Sequence, residues 1–484
     1  MSSIKLYFPA IIFSFLPLFS LFNSCVKNPA SSPVNTDPPA DTTSSGGTDT
    51  SGTAPGLFTL TMDKFMGING VHEERLEWSS PVAGTARLYT NRDWFEGDIS
   101  GDVLKFQNSR GGWYFDDAYQ KFKDAGVDIM MCLQLGGLEK PNKNDKPTNV
   151  NGQNTADPRS YTKIASTYFN VAARYGAIKH NAATLRSDDK KSGLNLIKYL
   201  EVWNEQDKGW EGPNANFSPE EYAALLSICY DSIKKADPNM IVVMGGLAGQ
   251  KLDYIKSMKR WFENNRTDKK FAADVINLHI YALNNDIDWE GGEWPLRPGA
   301  ETPEDAKFYE KMLPFVQFAN ENGKMFFVSE FGWDTHPESP LYPKKVNGVD
   351  AQEMQSRYLL RAYMEFAAAG VTAVQQYELI DPSREEWGGG LYATSGLIKR
   401  NDNLNGNNAD KKKGWFNIKE MKDALKGYKF NRIIQRNNAA HIYEFVKGTE
   451  KMAVGWIPTH VNGTASVIIY GKATALTEKP IFIK

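Results

Sequence analysis

Two apolar runs in this chain each deliver a glutamate. One is Leu200-Glu201-Val202-Trp203-Asn204-Glu205, the other Phe326-Phe327-Val328-Ser329-Glu330. Two carboxyl groups facing each other across a cleft can hydrolyse a glycosidic bond. One protonates the leaving oxygen, and the other attacks the anomeric carbon or activates water. A lone glutamate at the end of an apolar run usually just meets solvent or caps the chain. The pair is what points to chemistry. Other runs end in polar groups suited to the same work: Arg87, His279 with Tyr281, and Tyr377 with Glu378. His279 also fits a structural role as a satisfied buried imidazole. Glu201 stands where an interior ion-pair partner would. Glu378 can reach a ligand or fold outward.

Aromatic residues make up 12% of the chain, with 12 tryptophans among them. Indole faces stack on the apolar faces of sugar rings, although core packing is the common fate of any one of them. Trp94, Trp113, Trp210, Trp289, Trp294, Trp333 and Trp387 fall in segments that follow strand candidates. Trp210 and Trp333 follow the two glutamates most closely and are the expected platforms. Other chemistries find no support. No GxSxG or HExxH occurs. Cys25, Cys132 and Cys229 show no CxxC spacing, so a structural zinc site is not expected, and nothing calls for a metal or cofactor. Cys132 and Cys229 lie in apolar patterns that suit buried free thiols, with pairing as the alternative. A net charge of -2 lacks the basic excess of a nucleic-acid binder.

The elements that must hold these residues follow from apolar periodicity. Strands are expected at Phe65-Val71, Thr85-Tyr89, Val127-Leu133, Ile197-Trp203, Met240-Met244, Val275-Tyr281, Met325-Glu330 and Val371-Tyr377. Most are continuous apolar runs, as in a parallel sheet covered on both faces. Between them lie helical patterns at Phe115-Ala125, Tyr161-Tyr175, Ser218 onward to Asp237, Gln352-Ala369 and Trp415-Leu425. Ser218-Pro219-Glu220-Glu221 gives an N-cap, a proline at N1 and acidic residues in the first turn. Eightfold β/α alternation predicts an α/β fold, a (β/α)8 TIM barrel over residues 57-430. A doubly wound sheet ranks second. The first run is followed by Val71-His72-Glu73-Glu74 rather than a glycine-rich phosphate turn. Ile433-Ile434, His441-Val446, Met452-Ile457, Ser466-Tyr470 and Pro480-Ile483 predict a small C-terminal β-sheet module over 431-484, packed on the barrel.

With that order in place, Trp203-Asn204-Glu205 and Ser329-Glu330-Phe331-Gly332 resemble the signatures of clan A retaining glycoside hydrolases. In that clan an Asn-Glu pair ends strand four and a second glutamate ends strand seven. Arg87 at strand two, His279-Ile280-Tyr281 at strand six and Tyr377-Glu378 at strand eight fit the same clan. The resemblance covers about Phe65 to Leu425. Around Tyr199-Trp203 and Glu330-Thr335 it is nearest to β-xylosidase-like families. It implies Glu330 as an ionised nucleophile, with Arg87 favouring its charge and Tyr281 donating a hydrogen bond to it. It implies Glu205 as the acid/base, holding a proton beside that ionised partner. Asn204 would take the 2-hydroxyl of the reacting sugar, and the two carboxyls would stand about 5-5.5 Å apart. His279, Tyr377, Trp210 and Trp333 complete the expected carbohydrate-binding set. A sugar-binding lipoprotein on a degenerate barrel and a transglycosidase are the competing readings.

The N-terminus has a different character. Lys5 precedes an apolar run from Leu6 to Phe22, the layout of a signal peptide over residues 1-24. The run is short for a membrane span and is broken by Pro9 and Pro17. Leu21-Phe22-Asn23-Ser24-Cys25 resembles a bacterial lipobox, which implies lipidation of Cys25 and a membrane partner at the cell envelope. Ordinary cleavage with an unmodified cysteine is the alternative. Residues 25-56 are mostly Ser, Thr, Pro, Gly, Asp, Asn and Ala, the composition of a flexible tether.

Overall fold

The computed structural model describes residues 56–70, 76–96, 103–106, 115–134, 145–209, 212–283, 298–346, 348–384, 389–400, 410–460 and 463–484. Eight parallel strands close into a barrel in chain order. They are β1 Met66–Asn69, β2 Thr85–Asn91, β3 Asp128–Gln134, β4 Tyr199–Val202, β5 Ile241–Met244, β6 Val275–His279, β7 Met325–Phe331 and β8 Ala373–Gln376. β1 pairs with β8 through Met66, Gly67 and Ile68, which seals the ring. Each strand overlaps a predicted apolar run, because each is covered by helices outside and by packed side chains within.

The longer helices lie between the strands. They are α4 Phe115–Asp124, α5 Thr162–Tyr175, α6 Pro219–Ala236, α7 Leu252–Asn265, α8 Phe308–Glu321, α9 Ala351–Ala369 and α10 Lys413–Ala424, with the one-turn helices α1 Met62–Phe65, α2 Leu76–Ser79 and α3 Asp93–Glu96 near the start. Ser218 caps α6 through a complete capping box with Glu221. α9 starts at Asp350, whose side chain accepts from the Glu353 amide, and ends at Gly370 in the left-handed region at φ 86. α7 and α8 were not singled out in the sequence and complete the alternation.

Side chains fill the lower barrel. Met130, Tyr199, Val243, Val275, Phe327 and Ala373 form a buried plug from strands β3 to β8. The barrel is therefore a packed core, and polar chemistry is confined to the rim where the strands end. Cys132 and Cys229 are both buried free thiols.

The C-terminal module has two sheets. One has strand order β14-β11-β10-β9 and the other pairs β12 with β13, where β9 is Lys429–Arg436, β10 His441–Lys447, β11 Glu450–Trp456, β12 Ala465–Ile469, β13 Lys472–Leu476 and β14 Ile481–Ile483. β13 was not predicted. The module and the barrel belong to one compact unit. A buried ionic seam joins them. Glu304, ahead of α8, takes the Arg361 guanidinium of α9 through Nε at 2.9 Å and through Nη2. Glu304 also accepts from Trp456 Nε1 at 2.7 Å, and Arg361 Nη1 donates to the Thr459 carbonyl at 2.9 Å. Glu365 of α9 accepts from Tyr443 at 2.7 Å and from Arg436 Nη2 at 3.1 Å, with His441 Nδ1 at 2.8 Å. Burial alone would raise the Glu304 carboxyl, but Arg361 outweighs it and holds it down at about 2.

A carboxyl whose folded pKa lies below its ordinary 4.5 stabilises the fold above pH 4.5, and that contribution fades as pH falls toward about 2. Glu304→Ala strands the Arg361 charge in the interior and is expected to cost about 3–5 kcal/mol. Urea unfolding at pH 7 checks the size of the loss. The deficit relative to the parent should shrink as the titration is repeated toward pH 3. A loss under about 1 kcal/mol at neutral pH would show that the seam does not behave as a desolvated pair.

Candidate active site

Arg87 on β2 organises the rim. Its side chain is fully buried, and its donors reach four elements. Nε and Nη2 fork onto Glu201 of β4 at 2.7 and 3.0 Å. Nη2 also donates to Asn204 Oδ1 at 2.8 Å. Nη1 donates to Glu330 Oε1 at 2.9 Å, to Asn69 Oδ1 at 3.0 Å and to the Tyr89 oxygen at 2.7 Å. Burial works against the cation, but the neighbouring Glu201 charge wins and keeps the guanidinium firmly protonated. Glu201 is itself held by the Gly246 amide at 3.0 Å and by Asn277 Nδ2 at 3.1 Å. It is the interior ion-pair partner its position suggested.

Glu330 sits at the end of β7, only 7% exposed, inside a cage of donors. Oε1 takes Arg87 and the Tyr89 hydroxyl at 2.6 Å, and Oε2 takes the Tyr281 hydroxyl at 2.9 Å. Burial pushes this carboxyl up. His279, Arg87 and the two phenols together push it further down, so it lies below the ordinary carboxylate range. Burial raises the Tyr89 and Tyr281 phenols, which keeps both as neutral donors.

Glu205 is held differently. It lies past the end of β4, where Trp203 and Glu205 adopt left-handed backbone at φ 77 and 47. That conformation is uncommon outside glycine and is found where surroundings force it, often at functional sites. The Glu205 amide is fixed by the Gly246 carbonyl at 2.9 Å. Its side chain, 20% exposed, meets His279 Nδ1 at 3.0 Å and Lys208 Nζ at 3.8 Å. The other nitrogen of His279, Nε2, lies 3.1 Å from Ser329 Oγ and 3.3 Å from Glu330 Oε1. His279 thus bridges the two glutamates, and an oxygen of each carboxyl lies within 4.8 Å of the other. Only glycine fits at 246, where a Cβ would stand 2.2 Å from His279 Nε2. These three residues would bring together the donor types of a metal site. Both His279 nitrogens and both Glu330 oxygens, however, already have hydrogen-bonding partners.

Aromatic rings wall the site. Tyr377 stands edge-on to Tyr89, with ring centres 6.4 Å apart, and to Tyr392 at 5.7 Å. Tyr392 in turn lies 4.8 Å from Tyr281. Sequence reasoning missed Tyr89 and Tyr392. Strand alternation puts Tyr89 on the same face as Arg87, a signal that was available. Tyr392 carried none. It is placed by Asp334, which accepts from the Tyr392 amide at 2.9 Å and the Thr394 amide at 3.1 Å. Burial lifts the Asp334 carboxyl to about 7.

Trp333 requires a correction. It is fully buried, with its ring against Phe308 and Tyr358 and its Nε1 donating to the Glu301 carbonyl at 3.0 Å. It has no face left for a sugar. Trp210 lies outside the described residues, as do Trp113, Trp289, Trp294, Trp387 and Cys25. Trp94 stacks on Phe115 with ring centres 6.1 Å apart.

No protein-family profile matches the sequence. No curated protein matches it either. Solved structures do match. A family 39 glycoside hydrolase from the gut symbiont Bacteroides cellulosilyticus WH2 aligns at TM-score 0.58 and 16% identity, over 87% of this chain and 80% of that one. A family 51 α-L-arabinofuranosidase from Bifidobacterium longum aligns at TM-score 0.52 and 13% identity, over 87% of each. A monomeric β-xylosidase from Caulobacter crescentus CB15 aligns at TM-score 0.50 and 14% identity, over 85% and 80%. The likeness is one of fold. This chain carries the same closed eight-stranded barrel with added β structure.

The donor cage works with His279 to hold the Glu330 carboxyl down, so removing one donor should be measurable without any substrate. Tyr281→Phe deletes a hydrogen bond to the ionised form and is expected to raise the Glu330 pKa. Carbon-13 NMR titration of the glutamate carboxyls, assigned with Glu330→Gln, reads the shift. An unchanged or lowered value would contradict the cage.

Proposed function

We propose that this chain is a retaining glycoside hydrolase that cleaves β-glycosidic bonds in poly- or oligosaccharides, with Glu330 as nucleophile and Glu205 as general acid/base. The observation that carries the reading is the contrast between two glutamates sharing one pocket. Glu330 is buried among donors that favour its charged form. Glu205 is more open, and His279 stands between the two. Its Nδ1 lies 3.0 Å from Glu205 and its Nε2 3.3 Å from Glu330, so one imidazole links the acid/base to the nucleophile and can hold a proton between them.

In the first step a Glu330 oxygen attacks the anomeric carbon while Glu205 gives its proton to the departing glycosidic oxygen. In the second, Glu205 takes a proton from water, and that water oxygen displaces Glu330 from the anomeric carbon. The closeness of the carboxyls favours this two-step course, because an inverting pair stands about 6.5–9.5 Å apart to admit a water. Arg87 fixes the Asn204 carbonyl, which orients the rest of that amide toward a sugar hydroxyl. His279, Tyr281 and Tyr377 border the reacting ring, and Trp210 is retained as a platform. The N-terminal pattern supports a lipid on Cys25 and a place at the cell envelope. Among the described residues no helix is long and apolar enough to cross a membrane.

Release of nitrophenol from a panel of aryl β-glycosides tests the activity. Glu330→Ala should lose several orders of magnitude in kcat while still binding sugar. Glu205→Ala should lose about 10²–10⁴-fold on poor leaving groups. On good leaving groups azide should restore part of the rate and yield the β-glycosyl azide. A first-formed product of inverted configuration would sink the nucleophile assignment. Sugar binding without turnover on the whole panel would leave a binding lipoprotein instead.

A further inference from the structure

One carboxyl at the rim has no place in the mechanism above. Glu378 directly follows β8 and Tyr377, on the same rim as Glu205 and Glu330. It is 8% exposed, and its Oε1 is buried with no hydrogen-bond partner. Its other oxygen lies over the end of β1, where a Cβ on Gly70 would stand 1.9 Å from Oε2. The glycine therefore leaves the space that the carboxyl fills. Glu378 is also close enough to Glu330 for the two charges to oppose each other. A desolvated polar oxygen without a partner costs about 1–3 kcal/mol. Such a cost is tolerated where a ligand supplies the missing hydrogen bond.

We propose that Glu378 is a sugar-contacting residue of the pocket around Glu330, its free oxygen taking a hydroxyl of the ring that Glu330 attacks. The inference rests on the hydrolase reading and assigns a specificity determinant within it. The state of the carboxyl fits the role. Burial, with Asp381 and Glu330 adding to it, pushes Glu378 up to about 8 against a hydrogen bond from Tyr377. At neutral pH it is a neutral acid, able to donate as well as accept. An ionised group here would add a second negative charge beside the nucleophile. A protonated one reads a neutral hydroxyl without that penalty. The chemical class of ligand is thus an uncharged polyhydroxylated ring rather than a uronic acid, whose carboxylate would meet two acidic side chains.

The test uses the full chain and the aryl glycoside that the wild type cleaves fastest, together with its 2-, 3- and 4-deoxy analogues. Glu378→Leu removes the oxygen at similar volume. It is expected to lower kcat/KM about 10- to 100-fold on the parent glycoside and under about 3-fold on the one analogue that lacks the hydroxyl read. Glu378→Gln keeps a neutral donor and acceptor and should recover at least about 10-fold of the loss. If the leucine variant does not fold, Glu378→Ala, which also removes the oxygen, carries the same comparison of parent against analogues. A fall of equal size on the parent and every analogue, or no fall at all, overturns the assignment and leaves the hydrolase reading intact. A wild type that cleaves none of the panel but binds D-xylose, D-glucose or L-arabinose by saturation-transfer NMR overturns the hydrolase reading. In that case loss of the NMR signal in Glu378→Leu, with recovery in Glu378→Gln, still supports the contact, and an unchanged signal overturns it. A wild type that neither cleaves nor binds overturns both.

Discussion

A guanidinium taken wholly out of water must find a counter-charge and a partner for nearly every N–H. Arg87 finds them only if β1, β2, β4 and β7 stand in one register. The fork onto Glu201 makes the pair neutral overall, which has a chemical consequence. An unpaired arginine would bind Glu330 as a full ion pair and blunt its lone pairs. With its charge shared by Glu201, Arg87 still favours the ionised carboxyl but leaves part of that task to the phenols of Tyr89 and Tyr281. The same fork fixes Asn204, so Glu330 and the amide beside Glu205 are set by one side chain.

The two glutamates differ because their backbones differ. Glu330 belongs to β7, where register shifts against β6 and β8 break the strand alternation set by inward-facing Phe327 and bring its side chain onto Arg87. Glu205 lies beyond β4 in left-handed backbone that no strand supports, and the turn is held instead by the Gly246 carbonyl. Glycine at 246 serves twice, since its missing side chain also makes room for His279. Environment thus sets two carboxyls of one residue type apart, which is what the proposed division into acid/base and nucleophile needs.

The fold was legible in the sequence because parallel strands buried on both faces are apolar throughout and are bounded by the polar groups of the rim. The strand ends therefore named Arg87, Asn204, Glu205, His279, Tyr281 and Glu330 together, and the structure brings all six into one site. What escaped was set at long range. Tyr392 is positioned by a carboxyl 58 residues away. β13 has an Ala-rich sequence with little strand character and is recruited by its antiparallel neighbour β12. Trp333 follows the Glu330 segment, as a sugar platform would, but a tryptophan beyond a strand end can turn toward the cleft or into the helical layer. Phe308 and Tyr358, from two different helices, decide that it turns inward.

The buried Trp333 also gives the C-terminal module a structural purpose. Its indole is anchored on the Glu301 carbonyl, three residues before the Glu304 that the module grips through Trp456. Asp334, next in the chain, holds the segment that carries Tyr392. The segment after β6 is thus fastened on one side to the module and on the other to the exit of β7, directly beyond Glu330. A barrel strand end has no neighbour above it to fix the chain that leaves it. Here that support comes from a β-sheet outside the barrel, through a buried ion pair and an indole, and the ring wall around Glu330 is built on it.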